Sequence, residues 1–160
     1  MQNRTLCFLT RGNPPEEVLL GFKKSGFGSS KYAGFGGGVE IDETVEAATI
    51  RELEEETGIQ ISMDNICKVG HLTFLFPSKP AWSQIVHVYL AARWNGIPVE
   101  SDEMIPSWYK IDEIPIENMW ADASYWLPLI LKGKKIKAIF VFNDDNETIK
   151  ESSIGDWLDG

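Results

Sequence analysis

The sequence predicts an α/β domain with a mixed β-sheet, on three observations. Short apolar β-type runs recur along the 160 residues, two helix-like stretches interrupt them, and no repeat, linker or composition break divides the chain. That length predicts one domain over residues 1–160, large enough to bury about two thirds of its unfolded surface.

The elements follow in order. TLCFLT (5–10) and EVLLGFKK (17–24) flank RGNPPEE, whose Gly-Asn-Pro-Pro marks a turn, so the pair reads as a hairpin. The next stretch, 25–40, is rich in glycine and predicts no packed regular structure. Residues 44–57 predict a helix closed by Gly58, which suits the left-handed residue that ends many helices. KVGHLTFLFP (68–77), QIVHVYLAARW (84–94) and SWYKIDEI (107–114) read as strands. ASYWLPLILKG (123–133) reads as a second helix, with Pro128 an awkward interior member. KAIFVFN and ETIKESSI close the chain as a hairpin around Asp144, Asp145 and Asn146, and the acidic tail after Ile154 is expected to fray.

Composition narrows the function classes. An apolar content of 43% is that of a folded globular protein. A net charge of −9 argues against a stable nucleic-acid partner or an anionic membrane, both of which need basic surface. Phosphorylated substrates stay open, since a bound metal inverts the local sign. Cys7 and Cys67 both lie in apolar stretches and are expected to be buried reduced thiols. With no apolar run of membrane-spanning length and no signal-peptide pattern, a cytoplasmic location is expected. Oligomeric state is not legible.

RELEEETGI (51–59) crowds like charges that repel along a helix. A helical projection gathers Glu52, Glu55 and Glu56 into an arc of roughly 100°, facing an apolar arc of Ala47, Ile50 and Leu53, with Glu54 pointing elsewhere. An all-oxygen set of this kind suits Mg²⁺, with Mn²⁺ an alternative. The plainer reading of a run of acids is a solvated helix face. The surroundings decide against it. Gly37, Glu43, Arg51, Glu52, Leu53, Glu55, Glu56, Gly58 and Ile59 fit G-x5-E-x7-R-E-U-x-E-E-x-G-U without a gap, U being aliphatic. Chance would supply that on the order of once in 10⁸ registers.

This pattern is the Nudix signature, and the sequence resembles the Nudix hydrolases. The resemblance implies the Nudix fold, a mixed β-sheet sandwiched between α-helices. It implies divalent metal held by Glu52, Glu55, Glu56 and the Gly36 main chain, with Arg51 orienting the carboxylates and Glu43 fixing the loop. Glu52 or Glu55 would be the general base. The run Gly36, Gly37, Gly38 would let backbone groups approach metal and phosphate.

Beyond the box, VLLGFKKSGFG, GFGG, PVESDEM, MW, SYW and PL occur in the order seen in MutT-type purine nucleoside triphosphatases. That likeness implies Glu100 as a further metal ligand. It implies Thr5, Lys23, Phe27, Phe35, Phe74, Trp120, Asp122 and Trp126 as substrate-binding residues, with Trp120 stacking on a purine and Asp122 bonding its edge. For these tryptophans and phenylalanines the competing reading is core packing. Three positions depart from the pattern: Ala33 replaces an asparagine, Ala123 a second aspartate and Gly38 a lysine. The catalytic set is complete and the base-reading set is not.

The expected reaction is metal-dependent hydrolysis of a purine nucleoside triphosphate, including oxidised purines such as 8-oxo-dGTP, to monophosphate and pyrophosphate. One alternative is the same chemistry on a dinucleoside polyphosphate, an RNA 5′ end or a nucleotide sugar. The other is a nucleotide-binding module without catalysis, which would be expected to lose a box carboxylate.

Overall fold

A computed structural model of the protein describes residues 1–157. Its strands are β1 (Gln2–Arg11), β2 (Glu17–Lys23), β3 (Tyr32–Ala33), β4 (Cys67–Leu75), β5 (Gln84–Ala91), β6 (Met104–Lys110), β7 (Ile136–Phe142) and β8 (Ile149–Asp156). The helices are α1 (Val45–Thr57) and α2 (Ala123–Leu131). The strand order is β3-β2-β1-β5-β4-β7-β8, with β6 paired to the other side of β2. The sheet is mixed: β1 runs parallel to β5 and β4 to β7, while the remaining pairs are antiparallel.

Each helix takes one face, because the strands alternate their side chains. Cys7, Leu9, Tyr89 and Ala91 pack with Phe35 and Leu53 on the α1 side. Phe8, Leu72, Val88 and Phe140 pack with Trp126, Leu127 and Ile130 on the α2 side. The helix that carries the acids thus lies over β1, on a sheet face opposite to α2.

Helix α1 has the ends its sequence dictates. The Thr44 hydroxyl accepts from Ala47 N at 3.0 Å, and Gly58 adopts φ 77° while its N–H donates to the Glu54 carbonyl. Its buried arc is not the apolar arc of the projection. Thr49, Leu53, Glu56 and Thr57 are buried, whereas Ala47 and Ile50 are half-buried. Polar partners turn the helix this way: Thr49 bonds the Thr5 hydroxyl of β1, and Glu56 is met by a backbone N–H.

Other elements differ from the sequence reading. The β1–β2 hairpin pairs only at Thr10↔Val18 and Arg11↔Glu17. Further down β1 the glycine-rich segment takes that edge, through Cys7↔Phe35 and Arg4↔Gly38 bridges. β6 starts at Met104 and stops at Lys110, where a 3-10 turn follows. Cys67 opens β4 and is exposed, so only Cys7 is a buried thiol. Chain pairing continues past Ile154, since Asp156 pairs with Ile136 and Trp157 N donates to Lys135 O. The rest of the acidic tail, 158–160, lies outside the described residues.

Candidate active site

Arg51 organises the acids of α1. Its Nε and one terminal nitrogen clasp both oxygens of Glu43 at 2.7 and 2.9 Å, a forked pair that fixes guanidinium orientation. The same head donates to Glu52 at 3.0 Å, to Glu55 at 3.4 Å and to the Gly38 carbonyl at 3.1 Å. One cation thereby binds the glycine-rich segment, the loop before α1 and two helical carboxylates. Glu43 is held down at about 2, chiefly by its hydrogen bonds from Arg51. Burial pushes Glu52 up, and the charges of Glu55 and Glu103 add to that.

Glu56 is the outlier. It is 3% exposed, its Oε1 accepts from Gly36 N at 2.8 Å, and burial with the charge of Glu52 raises it to about 8. The main chain reaches these carboxylates because two positions lack a side chain. A Cβ at Gly36 would run into the Thr5 carbonyl, and one at Gly37 would overlap the Glu52 carboxylate.

The exposed loop acid Glu103 acts on this group through its charge alone. Its charge bears on both Glu52 and Glu56. Glu100, expected there, is instead ion-paired to Lys24 at the surface. Three acids lie in PVESDEM, and a loop has no periodicity to say which of them turns inward. Among the described residues, no three acidic, His or Cys side chains are gathered closely enough to hold a metal ion as they stand. Arg51 sits among the carboxylates and draws Glu43, Glu52 and Glu55 toward itself.

Glu56 and Gly36 open into a cleft with a cavity volume of about 140 Å³. Its floor is strand side chains Leu6, Phe8, Leu72, Phe74 and Val86, and its walls include Phe27, Trp120, Asp122 and Trp126. Lys23 lines the same cleft and lies near enough to Glu56 for its charge to oppose the upward shift. Asp122 is buried, accepts from Trp126 Nε1 at 2.7 Å, and is raised to about 6 by burial. Phe27 stacks on Trp120, with centroids 5.2 Å apart and planes 18° off parallel. One face of the indole is therefore already covered.

Of the expected substrate residues, Thr5, Lys23, Phe27, Gly36, Phe74, Trp120, Asp122 and Trp126 border this cleft. Gly37 and Gly38 lie beside it, against Glu52 and Arg51. Phe35 does not reach it. The ring is fully buried on the α1 side with Leu53 and Tyr89, because alternation along 33–38 turns it away from the cleft. Arg4, Lys31, Gln84 and Met119 line the cleft without having been foreseen. For Gln84 the signal was available: a polar residue in phase with Val86 and Val88 on an apolar strand.

Known proteins share this arrangement. The NUDIX domain family matches residues 2–130. An oxidized purine nucleoside triphosphate hydrolase of Mus musculus is 44% identical over 138 residues, covering 86% of each chain. The protein of that name from Danio rerio is 45% identical over 128 residues, covering 80% of each. Among solved structures, a MutT protein from Bacillus halodurans superposes with a TM-score of 0.77 at 22% identity, over 96% of this chain and 97% of that one. A bifunctional NMN adenylyltransferase/ADP ribose pyrophosphatase from Francisella tularensis, complexed with AMP and Mn, gives 0.63 at 24% identity, over 82% of this chain and 41% of that one. These two show likeness of fold. With the family matched over most of the chain and close relatives spanning it, the protein belongs to the Nudix hydrolases, enzymes that generally use divalent metal ions.

Proposed function

We propose that the protein is a Mg²⁺-dependent hydrolase of purine nucleoside triphosphates, oxidised purines included, forming monophosphate and pyrophosphate. One observation carries this: the carboxylate group at Glu56 and Gly36 opens into the same cleft as the aromatic wall of Trp120, Phe27 and Phe74. A nucleotide laid along it would put its base among the rings and its phosphates beside the acids. The names of the mouse and zebrafish relatives support the substrate class. Action in the cytoplasm suits two unpaired cysteines, and among the described residues no helix is long and apolar enough to cross a membrane.

The residues fit a divalent cation. A carboxylate as buried as Glu56, with like charge beside it, one N–H donor and the charge of Lys23 too weak to offset its burial, is short of countercharge, and hard oxygen donors match Mg²⁺ or Mn²⁺. Glu52, Glu55, Glu56 and the Gly36 main chain would hold it, with Glu100 a further ligand once it leaves Lys24. When bound, the metal supplies charge neutralisation at the phosphate oxygens and acidifies water.

The chain's own groups do the rest. Arg51 fixes Glu52 and Glu55 in place while Glu43 absorbs part of its charge. Lys23, on the cleft wall, meets phosphate oxygens. Glu55, the most open of the three carboxylates at 55% side-chain exposure, takes the proton of the attacking water. Trp120 stacks on the base once Phe27 yields its face.

Two measurements test this. Hydrolysis in ¹⁸O-water should give monophosphate and pyrophosphate as the initial products, one of them carrying the label, and orthophosphate as the main product refutes it. Trp120→Ala should lower kcat/KM about 10- to 100-fold for all purine triphosphates together, since stacking of about 1–3 kcal/mol per base is indifferent to its edge. A loss confined to one purine would show that the indole does not serve as a stacking platform.

A further inference from the structure

Gln84 is unaccounted for by the chemistry above. It opens β5 in register with Phe74 of β4, on the strand face that carries Val86 and lines the cleft. It is 9% exposed, and among the described residues its side-chain amide makes no hydrogen bond. No buried side-chain polar atom lacks a partner among those residues, so the amide atoms reach the cleft surface instead of being sealed in the core. The fold does not require an amide there, since a leucine or methionine would pack against Phe74 and Val86 as well. A polar group that the fold does not require, presented in a binding cleft, points to a ligand contact.

The rest of the cleft shows what that contact would be. Around Trp120 much of the lining is apolar or aromatic, with Asp122, Lys31 and Tyr32 its polar members beside Gln84, and Ala33 and Ala123 offer no side-chain hydrogen bond. Asp122 gives one oxygen to Trp126, which leaves one for a base edge. A primary amide offers an acceptor and a donor side by side, which matches a base edge presenting a donor beside an acceptor in two parallel hydrogen bonds.

We propose that Gln84 is a specificity-determining residue whose amide pairs with such a purine edge, supplying from the sheet floor the contact that Ala33 and Ala123 do not. This rests on the purine triphosphate reading above. Stacking by Trp120 gives sequence-blind affinity; Gln84 gives selection among bases.

The test compares wild type with Gln84→Met, which keeps length and volume. Substrates are dATP, 2-oxo-dATP, dGTP, 8-oxo-dGTP, the unsubstituted purine deoxyriboside triphosphate and base-free deoxyribose 5-triphosphate. In Gln84→Met, kcat/KM for the best wild-type purine should fall about 10- to 100-fold, as loss of two neutral hydrogen bonds implies. The unsubstituted purine should fall less, and base-free turnover should stay as it was. The Tm of the ligand-free variant should not fall, so the loss is not one of folding. If wild type prefers a purine and Gln84→Met retains that preference within threefold, Gln84 does not read the base. Equal losses on base-bearing and base-free substrates also overturn the assignment, marking a general disturbance of the cleft. A wild type that cleaves the base-free compound as fast as any purine overturns the purine reading as well.

Discussion

Glu56→Gln is expected to lower kcat at least about 100-fold at saturating Mg²⁺ while making the metal-free protein more stable. Both effects have one cause. The Glu56 carboxylate is buried beside Glu52, with a single N–H donor from Gly36. Its folded value of about 8 lies above the ordinary 4.5, so the folded chain holds a proton that the unfolded chain has released. The resulting stability is fully present below 4.5 and is lost as pH rises through about 8. In EDTA, wild type should therefore melt lower at pH 9 than at pH 5. Glutamine carries no charge to bury, so the variant should melt roughly 5 °C or more above wild type at pH 9, with the gap closing by pH 5. Adding Mg²⁺ should raise the wild-type Tm most at high pH and leave the variant almost unmoved, because a metal needs the ionised carboxylate. A folded variant with near-normal turnover, or one that Mg²⁺ stabilises as strongly as wild type, sinks the assignment.

Arg51→Ala should cost about 2 kcal/mol in stability and most of the activity, through a different route. The substitution leaves Glu43, Glu52 and Glu55 without their common cation and frees the Gly38 carbonyl. The glycine-rich segment then loses its tie to α1. The loss stays below that of a fully buried pair because the Arg51 side chain is 26% exposed. Urea denaturation at pH 7 measures it. The acid limb gives a second signature. Glu43, at about 2, lies below its ordinary 4.5, so the stability from this pair is present above 4.5 and lost as pH falls through 2. That limb should flatten in Arg51→Ala. Unchanged stability together with an unchanged acid limb would mean that Arg51 is a surface charge and no more.

The parts of this protein legible in its sequence are those fixed by neighbours along the chain. Helix α1, from its Thr44 cap to the left-handed Gly58, depends on residues within one turn of each end. The box acids were legible because spacing along a helix is also spacing in space. Partners of β1 were not, since the β1–β5 register is set by side chains far apart in sequence. The same limit hides the pairing of Glu100 with Lys24. It separates Phe27 from Phe35 too: an aromatic beside glycine reads alike whether it faces the cleft or the core. The projection of α1 misjudged its buried arc because apolarity alone was counted, whereas Thr49 and Glu56 enter by hydrogen bonds.

The parallel pairing of β1 with β5 sets the order in which the enzyme can be built. Gln2 pairs with Gln84, so about eighty residues must leave the ribosome before β1 gains that neighbour. The acidic helix emerges well ahead of β5 and cannot complete the sheet surface beneath it. The cleft waits longer still, since Trp120, Trp126 and Phe142 are among the later arrivals. A growing chain thus carries a cluster of repelling carboxylates with no base pocket beside them until those residues are made. Fragments ending before β7 should be unable to turn over nucleotides.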